Sequence, residues 1–401
     1  MTKPEEHRSK WTTPADMKDC RVYCQSSCVA FSTVFNGDDG TKLIIAQSGY
    51  CDMDKRLRVF EGLVQHSECA LVDKPVSIVS IFPEPNSVPM VIVASGPALL
   101  AFKALKPYYK HTVPGKEANE TETTIWKDVE NTKEGREKLY QLLEKRSNEV
   151  SFANLTYVSQ TYLMSNDKEQ AKMIKGYGTD LKDFPLITCI GKIPKSLNEV
   201  KDIVVIGTEH RKIMLSECFT TSDEFLLPSI PVSVLTHGTY DDYQLFVLTR
   251  DSIIYSIKRG DTEPKPIIVS QSMITSVALV GKMIVYSTSE YMIHFCNFEG
   301  EILNTVKCQS KIKMLEPFFH SHKQLRAVIA VFEKEIRMYD EHHMLDIVKY
   351  EKALGWVKYG TYGKEEGTLV VCYEDGLLAV QTFRRTANFE HKMEYDSVQC
   401  C

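Results

Sequence analysis

The sequence predicts an all-β fold, a seven-bladed β-propeller with a helical insertion after the second blade. Three observations predict it. Seven short apolar runs recur along the chain, each closing on a small or polar residue. Each is followed within a few residues by a second run in which apolar and polar residues alternate. Apart from one long interval, the runs are 38 to 48 residues apart, which is the period of a four-stranded propeller blade.

The seven runs fall at 42–46, 90–95, 203–208, 245–249, 283–287, 327–330 and 368–372, and their centres are Ile44, Ile92, Val205, Val247, Val285, Ile329 and Val370. Runs that are apolar on both faces are strands buried on both sides. The alternating followers include Leu57-x-Val59, Ile253-x-Tyr255-x-Ile257 and Leu378-x-Val380, reached through polar or Gly-containing turns such as Glu374-Asp375-Gly376. Another apolar strand precedes each buried run, as at 76–81 and 231–235, and a more polar fourth strand often follows, as at 301–306. One such sheet cannot bury both faces alone, so the sheets must stack and close a ring. The last blade has no evident fourth strand after Gln381. The segment 19–25, ahead of the first blade, is expected to complete it, giving a propeller over 1–387.

The one long interval, 113 residues, exceeds a blade by roughly 70. The excess falls at 114–183, where the pattern changes. Residues 123–147 are rich in Glu, Lys and Leu, with Ile125, Val129, Leu139, Leu142 and Leu143 at helical spacing, and 167–175 suits a further short helix. This helical insertion is expected to pack on the ring and present its charged remainder to solvent. The tail, 388–401, is polar and is expected to be unstructured.

Composition and motifs bound the function. The chain has 401 residues, and its net charge of −5 offers no general attraction for nucleic acid or anionic membrane. The start MTKPEEHRSKW lacks the apolar core of a secretory signal, and the longest apolar stretch, 88–105, is interrupted by Pro89, Gly96-Pro97 and Lys103. No membrane-spanning helix is expected. The twelve cysteines include no C-x-x-C pair, and Cys20, Cys24 and Cys28 do not meet zinc spacing, so they read as thiols in a reducing compartment. Phosphate-cradling, nucleophile-elbow, zincin and dinucleotide motifs are all missing. No enzyme activity, cofactor or metal is therefore expected; a pore-centred enzyme would need carboxylates or histidines clustered on the axis. Asn36-Gly37-Asp38-Asp39-Gly40 resembles the start of a calcium loop but lacks the downstream bidentate Glu, and reads as a hairpin turn. His320-x-His322 and His342-His343 read as loop residues, and Tyr108-Tyr109 and Phe318-Phe319 as blade packing. The Cys400-Cys401 end resembles prenylated Rab-type tails, but nothing else in the chain looks like a GTPase.

Three segments resemble the Bardet–Biedl syndrome 1 protein family, a subunit of the BBSome coat. They are Ala94-Ser95-Gly96-Pro97 running on to Lys103-Ala104-Leu105-Lys106-Pro107-Tyr108-Tyr109-Lys110, then Ile206-Gly207-Thr208-Glu209, and Gly360-Thr361-Tyr362-Gly363-Lys364-Glu365-Glu366-Gly367-Thr368-Leu369 leading to Arg384-Arg385-Thr386-Ala387. Ser9-Lys10-Trp11 and the insertion agree with that family. The resemblance implies a non-enzymatic adaptor in ciliary membrane-protein trafficking and cilium assembly. Its implied partners are a GTP-loaded Arf-like small GTPase, other BBSome subunits and ciliary membrane-protein cargo. Its implied places are the cytoplasm, the cilium, the basal body or centrosome and, through partners, the face of the ciliary membrane. The family's GTPase docks near the first and last blades, so Asn36, Asp38 and Asp39 in one surface loop and Lys364, Glu365 and Glu366 in another are the candidate partner-binding residues. The family continues past the propeller into a β-sandwich that 388–401 leaves no room for, so only the propeller part is expected. A propeller scaffold of another vesicle coat or intracellular assembly is the alternative.

Overall fold

The computed structural model describes residues 9–12, 17–34, 40–49, 54–85, 87–127, 129–177, 181–217, 219–321, 324–384 and 387. Seven four-stranded antiparallel sheets account for the seven apolar runs. In every blade the run is the second strand, for example Lys42–Gln47 in blade one, Asp202–Thr208 in blade three and Gln244–Thr249 in blade four. All seven central residues, Ile44 through Val370, are fully buried. A second strand has a neighbour on each side in its own sheet and a blade above and below, so both its faces must be apolar, and each such side chain contributes about 1.5–3 kcal/mol on burial. The first strands, Val29–Ser32, Pro75–Ile81, Ile187–Pro194, Pro231–His237, Ile274–Val280, Met314–His320 and Leu354–Tyr362, contact one another in turn and the last returns to the first. That closed circuit is the propeller.

The last blade is built from both ends of the chain. Leu354–Tyr362, Glu365–Tyr373 and Leu377–Gln381 form three strands, and Met17–Asp19 is the fourth, pairing antiparallel with Leu377–Ala379. The closing strand thus lies earlier than the expected 19–25. Arg21 turns the chain out of extended geometry at φ +50°, with its N–H held by the Asp19 carboxylate at 3.1 Å, so residues 20–25 do not continue the strand. A second bridge, Trp11 with Phe383, extends the pairing beyond Met17–Asp19.

Gly96–Leu99 and His111–Leu186 form a separate compact unit. Its helices are α1 (Glu120–Lys127), α2 (Lys133–Val150), α3 (Tyr157–Met164) and α4 (Asp167–Tyr177), and Lys116–Glu117 pairs with Lys182–Asp183. The 123–147 pattern is therefore two helices. Thr132 caps α2 by accepting the Gly135 N–H at 3.0 Å, which starts a new helix within that stretch. The core is Trp126, Leu139, Leu143, Val158, Tyr162, Ile174 and Leu181, with Ile125 and Val129 packed against it; Leu142, expected inside, is 38% exposed. Helix α3 is missing from the sequence reading because TYVSQTYLM is poor in helix formers. Tertiary contacts hold it instead. The buried Glu122 carboxylate accepts from the Thr156 N–H (3.1 Å), Thr156 Oγ1 (2.8 Å) and Ser159 Oγ (2.6 Å), and Trp126 Nε1 donates to Ser159 Oγ at 3.0 Å.

The tyrosines at 108 and 109 correct another expectation. They lie on the outermost strand of blade two, Lys106–Thr112, and are 64% and 49% exposed rather than packed. An outermost strand has no sheet neighbour on its outer side, so an aromatic there need not be core. Among the described residues no helix is long and apolar enough to cross a membrane.

Candidate protein-docking site

The N-terminal segment 9–12 is clasped between blades six and seven, beside the strand that completes the last blade. At Ser9-Lys10-Trp11 the Lys10 N–H and the Ser9 hydroxyl both donate to the fully buried Asp346 carboxylate, at 2.8 and 3.1 Å, and Lys10 Nζ donates to the Leu345 carbonyl. Trp11 is 1% exposed. Its ring stacks on Phe383 at 4.0 Å and meets Phe318 and Tyr359 edge-on at 6.4 and 6.1 Å, and Nε1 donates to Met338 Sδ at 3.3 Å. Arg384 Nε donates back to the Trp11 carbonyl at 2.7 Å.

Above this clasp stands the hairpin of Leu354–Tyr362 and Glu365–Tyr373. Each strand has nine residues, longer than any other in the ring. The two residues at its tip are Gly363 and Lys364, and Gly363 holds φ +62°, which a side chain would strain. The hairpin reaches blade one through two backbone hydrogen bonds, Thr41 N–H to Gly363 O at 3.1 Å and Gly363 N–H to Thr41 O at 2.8 Å, with Thr41 Oγ1 donating to Thr361 O at 2.6 Å. A Cβ on Gly40 would fall 2.5 Å from Gly363 O, so this approach requires glycine there. Tyr362 adds a hydrogen bond from its hydroxyl to Gly62 O at 2.7 Å.

Lys364, Glu365 and Glu366 are all exposed on this hairpin, and Glu366 accepts from Ser321 Oγ at 2.7 Å. Asn36, Asp38 and Asp39 lie outside the described residues, but Gly40 and Thr41, which follow them, touch the hairpin tip. Beside the hairpin is a cavity of about 580 Å³ lined by Phe319, His320, Ser321, Tyr359 and residues 360–361 and 364–367. Burial pushes the Tyr359 hydroxyl up to about 12, so it stays protonated and donates to Phe319 O at 3.0 Å. Blade six's contribution was not legible in the sequence. Phe318-Phe319 read as packing, yet strand alternation buries Phe318 and leaves Phe319 46% exposed, with the Arg326 guanidinium 5.7 Å from its ring centre. The signal available was that period of two.

The axial channel, about 790 Å³, is lined mainly by serine, threonine and aliphatic side chains of the first strands. Among the described residues that line it the one carboxylate is Glu316, whose pKa burial raises against the opposing pull of Lys358, 3.2 Å away, and which also accepts from the Tyr359 N–H at 3.2 Å. A single carboxylate already paired with a lysine is not the acid/base cluster that a pore-centred enzyme needs. Among the described residues no group of three His, Cys, Asp or Glu side chains is placed to hold a metal. His322 lies outside the described residues, and His342 and His343 sit in a turn whose N–H groups bond Asp340 Oδ1.

The family model described as BBS1, ciliary BBSome complex subunit 1, matches residues 11–258. The chain belongs to the BBS1 family. BBSome complex member BBS1 of Homo sapiens is 25% identical over 393 residues, covering 96% of this chain and 66% of the human protein; the Mus musculus protein matches equally. The chain therefore spans about two thirds of the length of these curated relatives. Among solved structures, BBS1N in complex with ARL6DN, soaked with mercury, gives a TM-score of 0.74 at 20% identity over 95% of this chain and 99% of that one, and the lead-soaked form gives 0.73. A chain of the mitotic checkpoint complex gives 0.56 at 10% identity, with 95% of each chain covered. These likenesses establish the propeller fold. Membership of a BBSome-subunit family makes the chain a non-enzymatic β-propeller protein.

Proposed function

We propose that this BBS1-family propeller is an adaptor of the BBSome coat that docks a GTP-loaded Arf-like small GTPase across the seam of its first and last blades. The observation that carries the reading is the long blade-seven hairpin tied to blade one at Thr41 and Gly363. It carries exposed Lys364, Glu365 and Glu366 at a tip tied to Gly40 and Thr41, and Asn36, Asp38 and Asp39, which precede these in the sequence, are the proposed contacts from blade one. A related BBS1N was crystallised in complex with ARL6DN, which supports a GTPase of that class. Through such a partner the chain would reach the ciliary membrane peripherally, together with other BBSome subunits and membrane-protein cargo. The propeller is proposed as the domain over 1–387, with 114–183 as its helical insertion.

The test is a binding titration of an Arf-like GTPase locked to GTP or to GDP. The GTP form should bind at least tenfold tighter. The combined substitution Lys364→Glu, Glu365→Lys and Glu366→Lys should weaken it at least tenfold, because reversing rim charges places like charges opposite one another. Equal binding of the two nucleotide forms, or indifference to the charge reversal in a folded variant, refutes the seam as the docking site.

A further inference from the structure

The outermost strand of blade two, Lys106–Thr112, like those of blades one and seven, buries no side chain in its own blade. In blades three to six the outermost strand sinks at least one side chain into its own blade, namely Phe225, Ile268, Val306 and Leu345. Lys106–Thr112 buries none, yet carries Tyr108 and Tyr109 in the open. Strand alternation puts Lys106, Tyr108 and Lys110 on one face. Lys103 joins them, its Nζ 5.7 Å from the centre of the Tyr108 ring. Although the chain is acidic overall, no Asp or Glu occurs between Glu84 and Glu117, and among the described residues no carboxylate pairs with Lys103, Lys106 or Lys110.

Phe219 is the second, independent observation. It stands in the two-residue turn joining Lys212–Glu217 to Thr220–Leu226 of blade three, at φ +68°. A bulky aromatic in the left-handed region is a poor choice for a turn that glycine or asparagine would make without strain. What this backbone achieves is a ring 4.7 Å from that of Tyr109, on the opposite face of the strand from Lys106, Tyr108 and Lys110, so that the open edge of Lys106–Thr112 carries an aromatic on each face. We infer that this rim, formed by Lys103, Lys106, Tyr108, Tyr109, Lys110 and Phe219, is a docking surface for an acidic, extended segment of a partner protein. Its carboxylates would pair with the lysines and its apolar side chains would lie on the tyrosines. Tyrosine supplies large contact area at low entropic cost, and three lysines alone attract a membrane only weakly. A protein segment therefore fits better than a lipid surface.

A fluorescein-labelled (Glu-Val)6 peptide titrated by anisotropy against the intact chain tests this. It should bind saturably and at least tenfold tighter than (Ser-Val)6. Substituting Lys103, Lys106 and Lys110 by glutamate should weaken it at least tenfold, and Tyr108→Ala with Tyr109→Ala at least fivefold. Phe219→Gly decides between docking and structure: relieving the backbone strain should leave the melting temperature unchanged or raised, while peptide affinity falls about threefold. The exposed lysines at 103, 106 and 110 keep the test valid if the tyrosine pair fails to fold. Undiminished binding by the lysine variant, or by a folded tyrosine variant, overturns the inference. So does lysine-dependent binding of phosphatidylserine vesicles without peptide binding, which would make the rim a membrane surface.

Discussion

Replacing Trp11 with alanine should loosen the ring at its closure. The indole is 1% exposed, stacked on Phe383 at 4.0 Å, flanked by Phe318 and Tyr359, and donates to Met338 Sδ. A buried aromatic of this size removes about 150–250 Å² from water, worth about 4–6 kcal/mol at 25 cal/mol/Å². Truncations of buried tryptophan cost about 3–5 kcal/mol. With an unfolding entropy of about 2.1 cal/mol/K per residue, a loss of about 4 kcal/mol lowers the melting temperature by about 5 °C in a chain of 401 residues. Calorimetry measures the shift, and hydrogen exchange locates it. Amides of Leu377–Gln381, which pair with the N-terminal strand, should lose protection before those of Gln244–Thr249 on the other side of the ring. Trp11→Phe should recover about half the loss, since the stack on Phe383 persists. A drop below about 1 °C with unchanged exchange at Leu377–Gln381 would refute the clasp as the closure of the ring.

Three further expectations follow from individual groups. Burial pushes the thiols of Cys28 and Cys308 up to about 11 and that of Cys189 up to about 12, so iodoacetamide at pH 8 should leave all three unmodified in the native chain and label them in guanidinium, as mass spectrometry would read. Hydrogen bonds from Lys195 and then Lys201 hold the Glu217 carboxyl below its ordinary 4.5. A lowered folded-state value means its contribution is present above pH 4.5 and lost as pH falls through the folded value, so Glu217→Gln should flatten the acid limb of a stability-against-pH curve and change little once pH has fallen below the folded value. Glu122→Ala strips the buried acceptor from Thr156 and Ser159 at the start of α3, and orphaned buried donors cost about 1–3 kcal/mol each. Exchange protection in α1 to α4 should collapse while the second strands of the blades keep theirs; protection lost evenly over the chain would show that the helical unit has no stability of its own.

The blades were legible because burial on both faces leaves no polar position for periodicity to hide behind, and Ile44 or Val205 advertises its place without reference to any other strand. The clasp was not. Ser9-Lys10-Trp11 stood out only by family resemblance, because the groups that bury it, Asp346, Met338 and Phe383, lie more than 300 residues away. Helix α3 escaped for a related reason: its residues have weak helical preference, and a carboxylate from α1 supplies the cap that its own sequence only half provides. Leu142 failed in the opposite direction. It obeys the helical period, but the period admits a stripe wider than the core it meets, and Leu139 and Leu143 fill that core first. At the candidate docking site the loop chemistry of 363–367 was readable from glycine and charge, whereas Phe319 required knowing that blade six stands beside the hairpin.

Closure and the proposed docking site share side chains. Tyr359 packs edge-on against Trp11 on one side, and its hydroxyl holds the Phe319 carbonyl in the wall of the cavity between blades six and seven on the other. Gly367 sits between them, where a Cβ would press on Phe383 at 3.0 Å and on the Tyr359 hydroxyl at 3.4 Å. The last blade joins two segments more than 300 residues apart in sequence, so it has less covalent reinforcement than blades built from consecutive strands. Here the stiffening comes from the aromatic stack beneath the hairpin. The geometry of the Gly363 tip is thereby tied to whether the N-terminus is in place, and a loosened clasp should be felt at the exposed loops before it is felt in the blades opposite.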